Sequence, residues 1–411
     1  MVESYRAAFN AAFTPSRYAA FQRLLTQHCG VPIPFRCAET PCFFEAATLE
    51  SMVTAGCELI AQLLGNSDYL SRAAEAIPEA FRVPNTDPTP LFVQADFGLD
   101  AHLQPKLVEI QGFPSLYAFQ PTLAEIYREA YGLESTLSAF LEHGTRASYD
   151  ATLGQALCNG HDPREVFLLE IAPQTQKTLP DFALTQQHYG VQMLDVAHVT
   201  KRGKQLFAPD GTRIKRLYNR VIVDEIIRKN IALPFDFRDD LDVEWAGHPN
   251  WYFLISKFSL PFLKHPSVPK TQFLSDVARL PDNLEDFVLK PLFSFAGLGV
   301  KVGPTKEDIA AVPESEKTQW ILQERVNFIP TIETPEGPTK VEVRIMFLRV
   351  GETYQAMTAL LRLGRGKMLG VDHNRDATWI GASAAFVVLR TGCPRFALDS
   401  GEARVGIAEA V

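Results

Sequence analysis

Residues 286–300 read DFVLKPLFSFAGLGV, and their order is suited to holding an anion. Phe287, Val288 and Leu289 form a short apolar run that predicts a buried strand. The run stops at Lys290 and Pro291 and gives way to a loop with small residues at Ser294, Ala296, Gly297 and Gly299. Val300, Lys301 and Val302 begin a second strand. Glycines let backbone N–H groups approach a polyphosphate closely, and a strand-end lysine supplies a compact positive charge. No helix start follows the loop, so the stretch is neither a Walker A loop nor a dinucleotide fingerprint. A glycine-containing hairpin ending in a surface lysine fits the same residues.

A second constellation lies far upstream. The predicted strand Pro90–Asp96 ends on a carboxylate, and its predicted partner Gln104–Gln111 carries Glu109 and Gln111 two positions apart, hence on one face. Asp96, Glu109 and Gln111 together offer hard oxygen donors of the kind magnesium takes beside nucleotide phosphates. A solvated sheet face with alternating polar residues has the same pattern. Lys257 follows an apolar helical face and points either into a cleft or to solvent. Glu170, Asp195 and Arg220, near predicted strand ends, suit either a ligand at the carboxyl edge of a sheet or structural ion pairs. Arg216 and Arg220 hint at an anionic acid.

These groups need elements to hold them. The chain has 411 residues, enough for two or three domains with sizeable cores. Its 46% hydrophobic and 21% charged residues are those of a soluble globular protein, and a net charge of −8 argues against nucleic-acid binding by bulk charge. No apolar run nears the roughly 18 residues that cross a bilayer. The first residues lack a signal-peptide pattern, and the six cysteines form no CxxC pair. Reduced thiols and a cytoplasmic location follow as expectations.

Three regions are predicted: a helical N-terminal region plus the Asp96 and Glu109 strands over 1–150, an α/β region over 151–247, and the lysine-bearing region over 248–411. Pro15–Gln27 and Glu45–Leu64 have helical spacing. Strands Val166–Glu170 and Gly190–Asp195 flank a helix near Thr178–His188, which predicts a small parallel sheet. His248 to about Lys264 reads as helical. Linkers are expected near 145–163 and 236–248.

Taken in order, the second half resembles the ATP-grasp superfamily. The matching residues are Lys257, Lys290-Pro291 with its small-residue loop, Gln323-Glu324-Arg325-Val326, Glu342-x-Arg344, Arg362, Asn374 and Gly381. The resemblance implies that Lys257 and Lys290 hold nucleotide phosphates under the loop bearing Ser294, Gly297 and Gly299. It implies a hinge at Gln323, Glu324 and Val326 that contacts adenine, and it points Arg344 and Arg362 into the reaction cleft. The metal-bearing strands of most such proteins come last. Here Asp96, Glu109 and Gln111 come early, which resembles the circularly permuted group that includes glutathionylspermidine synthetase-like proteins. Gln111 stands where that group has asparagine, and Gln94 where it often has arginine.

The resemblance therefore implies an α+β / α/β ATP-grasp fold with an inserted substrate-side domain. It implies an ATP-dependent carboxylate–amine ligase working through an acyl phosphate, with ATP and Mg2+ as cofactors and small-molecule or peptide acids and amines as substrates. The loop 293–299 would act as a lid. A nucleotide-binding partner without turnover, motivated by Gln94 and Gln111, and an ATP-grasp phosphotransferase are the alternatives. Substrate identity, ribose contacts and oligomeric state have no signal in the sequence.

Overall fold

A computed structural model of the chain describes residues 1–294, 297–367, 369 and 377–388, with backbone only at 223 and 224. Asn374, part of the 293–299 loop and Cys393 lie outside the described residues. The architecture is a mixed α/β one built on three main sheets.

The largest sheet runs in the order Cys42–Glu45, Gly381–Val388, Thr353–Gly364, Thr339–Val350, Phe92–Leu99, Pro105–Gln111, with two short strands added at its sides. Neighbours are antiparallel except for the first pair, which is parallel. The strand at Cys42–Glu45 falls in a region expected to be helical; only four residues long, it shows no period of its own.

Alternation along the central strands gives each face its cover. Val343, Ile345 and Phe347, with Val93, Ala95 and Phe97, pack under the helix Ala46–Leu64. That helix lies very close to the sheet: a Cβ on Gly56 would sit 2.4 Å from the Phe347 ring, so only glycine fits. Met346, Leu348 and Leu360 occupy the opposite face with Leu123 and Ile126 of the helix Phe119–Tyr131. Further along this second face, Leu360 and Met346 give way to Arg362, Arg344, Glu342, Asp96 and Gln94.

The second sheet is antiparallel, in the order Thr271–Phe273, Trp320–Glu324, Phe287–Pro291, Lys301–Val302. The third is wholly parallel, in the order Glu244–Ala246, Arg216–Asn219, Val166–Glu170, Gln192–Asp195. It matches the parallel sheet read from the alternating pattern of 151–247.

Two local expectations are corrected. The stretch 145–163 is no linker; most of it is the helix Arg146–Cys158, opened by a reciprocal cap in which Ser148 N donates to Thr145 Oγ1 at 3.1 Å and Thr145 N to Ser148 Oγ at 2.8 Å. The stretch from His248 is not one helix but a short α-helix, Trp251–Leu254, and a 3-10 helix, Lys257–Phe262. Ser256 is extended between them, its hydroxyl capping Phe258 N, and Pro261 prevents α-helical bonding further on.

Among the described residues the cysteines are free, and no helix is long and apolar enough to cross a membrane.

Candidate functional site

The strand Phe287–Pro291 sends alternate side chains to opposite sides. Leu289 is buried with Leu322, Leu274, Leu284 and Ile309 in a small core. Val288 and Lys290 therefore face the other way, toward the large sheet, and so does Gln323 on the paired strand. Lys290 Nζ donates to Gln323 Oε1 at 2.6 Å and to the carbonyl of Val108 at 2.9 Å. Val108 belongs to the strand Pro105–Gln111, so this lysine spans the gap between the two sheets. Burial pushes its ammonium pKa down to about 8, against the opposing pull of Glu109. Lys257, at the start of the 3-10 helix, donates to the carbonyl of Ser294 at 2.6 Å and lies 3.9 Å from Glu109.

The large sheet supplies the other wall. Its register sets Arg344 opposite Asp96 and Glu342 opposite Arg362. Arg344 grips Asp96 through both edges, with Nε 2.5 Å from Oδ1 and Nη2 2.6 Å from Oδ2. Arg362 reaches Asp96 Oδ2 at 3.2 Å and pairs with Glu342. Asp96 is 1% exposed. Burial opposes its ionisation, but Arg344 and Arg362 outweigh that and hold the carboxyl below its ordinary range. Glu342 moves up, mainly through burial and in part through the nearby charge of Asp96. Burial disfavours the charge on Arg362, yet Glu342 and Asp96 raise its pKa above the ordinary value.

Between these walls lies a cavity of about 310 Å³. Its lining divides by chemistry: Val288, Val300, Val302, Val326, Phe328 and Leu369 are apolar, whereas Asp96, Glu109, Glu342, Lys257, Lys290, Arg325, Arg344, Arg362 and Lys367 carry charge. Two buried polar atoms on the wall have no partner, Gln323 Nε2 and Ser294 Oγ. Unpaired buried donors are costly, and a bound ligand with acceptor oxygens or nitrogens would satisfy them.

Most residues singled out by pattern meet here: Asp96, Glu109, Gln111, Lys257, Lys290, Ser294, Gly297, Gln323, Val326, Arg344 and Arg362 all line the cavity. Two do not. Glu324 faces a separate depression near Lys270, and Gly299 is exposed beside Pro291 and Trp320. The pattern missed the Val108 carbonyl, because a backbone acceptor leaves no mark in side-chain types. It also missed Ser115 and Lys367, which line the cavity from loops.

The oxygen donors do not fit a divalent cation as they stand. Both Asp96 oxygens accept from arginines. The Gln111 amide is engaged with its neighbour, its Nε2 donating to Gln94 Oε1 at 2.8 Å. Among the described residues no cluster of three or more His, Cys, Asp or Glu is arranged to hold a metal ion.

At the parallel sheet, Asp195 caps the following turn through Ala197 N at 3.0 Å, and Arg216 pairs with Glu244 at 2.7 Å. Both roles are structural. Arg220 lies over the rings of Phe113 and Phe182, and burial pushes the neighbouring Glu170 carboxyl up to about 8.

No protein-family model matches the chain, and no curated protein matches it. Among solved structures, it is similar to a glutathione synthetase-like effector from Globodera pallida in its apo form. The TM-score is 0.58 at 10% identity, covering 91% of this chain and 96% of that one. At this identity the likeness is one of fold alone.

Proposed function

We propose that this chain binds ATP between the large sheet and the lysine-bearing sheet and uses it to join a carboxylate to an amine. The observation that carries the reading is Lys290: a desolvated ammonium set between the two sheets at a cavity of about 310 Å³, beside the unpartnered amide nitrogen of Gln323. The apolar part of the lining suits a nucleobase near Gln323 and Val326, and the charged part suits phosphates. The likeness to a glutathione synthetase-like fold supports the same reading. So does the pairing of the early strand Phe92–Leu99 with the late strand Thr339–Val350, which suits a circularly permuted ATP-grasp protein with regions 1–150, 151–247 and 248–411.

In this reaction a substrate carboxylate oxygen attacks the γ-phosphorus, the bond to the β–γ bridging oxygen breaks, and ADP leaves. The amine then attacks the acyl carbon, phosphate departs, and the amine proton passes to solvent. Lys257 and Lys290 neutralise phosphate charge, while Arg344 and Arg362 face the transferring group. Positioning and charge stabilisation in a poorly hydrated cleft are the protein's contribution. The acid and amine are small molecules or peptides.

One observation favours a second reading, nucleotide binding without turnover: Arg344 and Arg362 hold Asp96 inside a closed ionic network. Calorimetry with ATP, followed by ADP and phosphate release across a panel of acids and amines, separates the two. Binding with no release selects the second reading. Should Lys290→Ala bind ATP as tightly as wild type, the site assignment is wrong.

A further inference from the structure

Arg344 is the hub of the acidic side of the cleft. Its guanidinium is bidentate on Asp96 at 2.5 and 2.6 Å and donates to Gln94 Oε1 at 3.1 Å. It lies 3.8 Å from Glu109 Oε1, and Gln94 Oε1, which it shares with Gln111 Nε2 at 2.8 Å, completes its surroundings. Asp96, Glu109 and the Gln94 amide oxygen thus converge on one cation, and that cation is a side chain. Arg344 is 5% exposed and is held from several sides.

Magnesium requires oxygen lone pairs at about 2.0–2.1 Å in near-octahedral array. Of the roughly four lone pairs of Asp96, three already accept N–H groups, the pair facing the Arg344 fork among them. For a metal ion to take them, the guanidinium must leave its carboxylate partner and stay in the interior unpaired, which is strongly unfavourable. The charge balance removes the need as well. Lys257, Lys290, Arg325, Arg344, Arg362 and Lys367 share the cavity with Asp96, Glu109 and Glu342, six cations to three carboxylates. A polyphosphate entering the cleft meets surplus positive charge already in place.

We infer that Arg344 is the resident cation of this cleft, so that the ligand it takes is a free nucleoside polyphosphate and not a magnesium complex. The inference rests on the nucleotide reading above for its ligand, but its claim about the cation is tested separately.

The 411-residue chain is titrated with Mn2+ followed by electron paramagnetic resonance, and with ATP by calorimetry in EDTA and in excess magnesium. Wild type is expected to hold no Mn2+ at micromolar to millimolar concentration. Its ATP dissociation constant should agree within about threefold between the two buffers. Arg344→Gln should gain one Mn2+ site, and its ATP binding should become at least about tenfold tighter with magnesium than without. A wild-type Mn2+ site abolished by Asp96→Asn overturns the inference, as does a tenfold or greater loss of ATP affinity in EDTA. If ATP binds in neither buffer, the nucleotide reading fails; the Mn2+ titration then decides alone, silent wild type supporting the resident cation and a bound ion refuting it. If Arg344→Gln does not fold, by circular dichroism, the wild-type measurements and Arg344→Lys carry the test, the lysine variant being expected to stay silent to Mn2+.

Discussion

The ammonium of Lys290 lies 2.9 Å from the carbonyl oxygen of Val108, a contact between two sheets whose residues are 182 positions apart in the chain. The lysine is pulled from water by this position and held by two neutral acceptors, Val108 and Gln323. Its charge is therefore poorly compensated until an anion arrives.

Lys290→Met should weaken ATP binding at pH 7 by about tenfold or more, because one charge-assisted phosphate contact contributes roughly 1.5–3 kcal/mol. In wild type the affinity should fall as pH rises through about 8, where the free protein loses the Lys290 proton. Calorimetry between pH 6.5 and 9.5 reads both effects; a flat profile for wild type would remove Lys290 from the binding step.

The same residue sets a stability trend of definite sign. Its pKa in the fold is about 8 and 10.5 ordinarily, so between these values the unfolded chain binds more protons and wild-type stability gains with rising pH. Lys290→Met removes the burial penalty and should be more stable than wild type at pH 7, by at most about 3 kcal/mol. The advantage should shrink as pH goes from 8 to 10.5. Urea denaturation of both proteins at pH 7 and 10 checks this, and an advantage that grows with pH would contradict it.

Asp96→Asn should be severely destabilising, by about 3–5 kcal/mol, since it leaves the buried Arg344 and the half-buried Arg362 without their shared counter-ion. The Asp96 carboxyl is held below its ordinary 3.8, so its stabilisation is present above that pH and is lost as pH falls through the lower, folded value. The gap between wild type and variant should be full at pH 7 and close in acid. A loss below about 1 kcal/mol at pH 7 would mean that the network is not the keystone the geometry makes it.

Glu170 gives an independent trend. Burial raises its carboxyl to about 8 from an ordinary 4.5, with Arg220 only partly offsetting it. The folded state holds the extra proton between those values, so this group's contribution declines as pH rises from 4.5 to 8. Glu170→Gln should flatten that decline and raise the melting temperature more at pH 8 than at pH 5. Equal shifts at both would show that Glu170 ionises freely in the fold.

Gly112 joins the strand bearing Gln111 to the segment bearing Lys257. Its N–H donates to the carbonyl of Ile255 at 2.8 Å, and a Cβ there would stand 2.6 Å from the backbone oxygen of Trp251. Gly112→Ala must push these backbones apart, at a cost of about 1–3 kcal/mol. It should weaken ATP binding although residue 112 touches no ligand. A crystal structure of the variant with unmoved Lys257 and unchanged affinity would refute the coupling.

Much of the architecture is legible in local pattern. The strands around Asp96, Glu109 and Lys290, the parallel sheet near Val166 and the face each strand residue takes all follow from alternation and from the residues that break it. Alternation fails where an element is too short to show a period, as at Cys42–Glu45, or where one hydroxyl ends a helix, as at Ser256. It also cannot name partners. That Glu109 and Gln111 share a side follows from their spacing; that Arg344, 248 positions after Asp96, fills the space between these donors follows only from which strands pair and in what register. A carboxylate meets a metal ion or a guanidinium according to the side chain the neighbouring strand delivers, and that is settled by contacts distant in the chain.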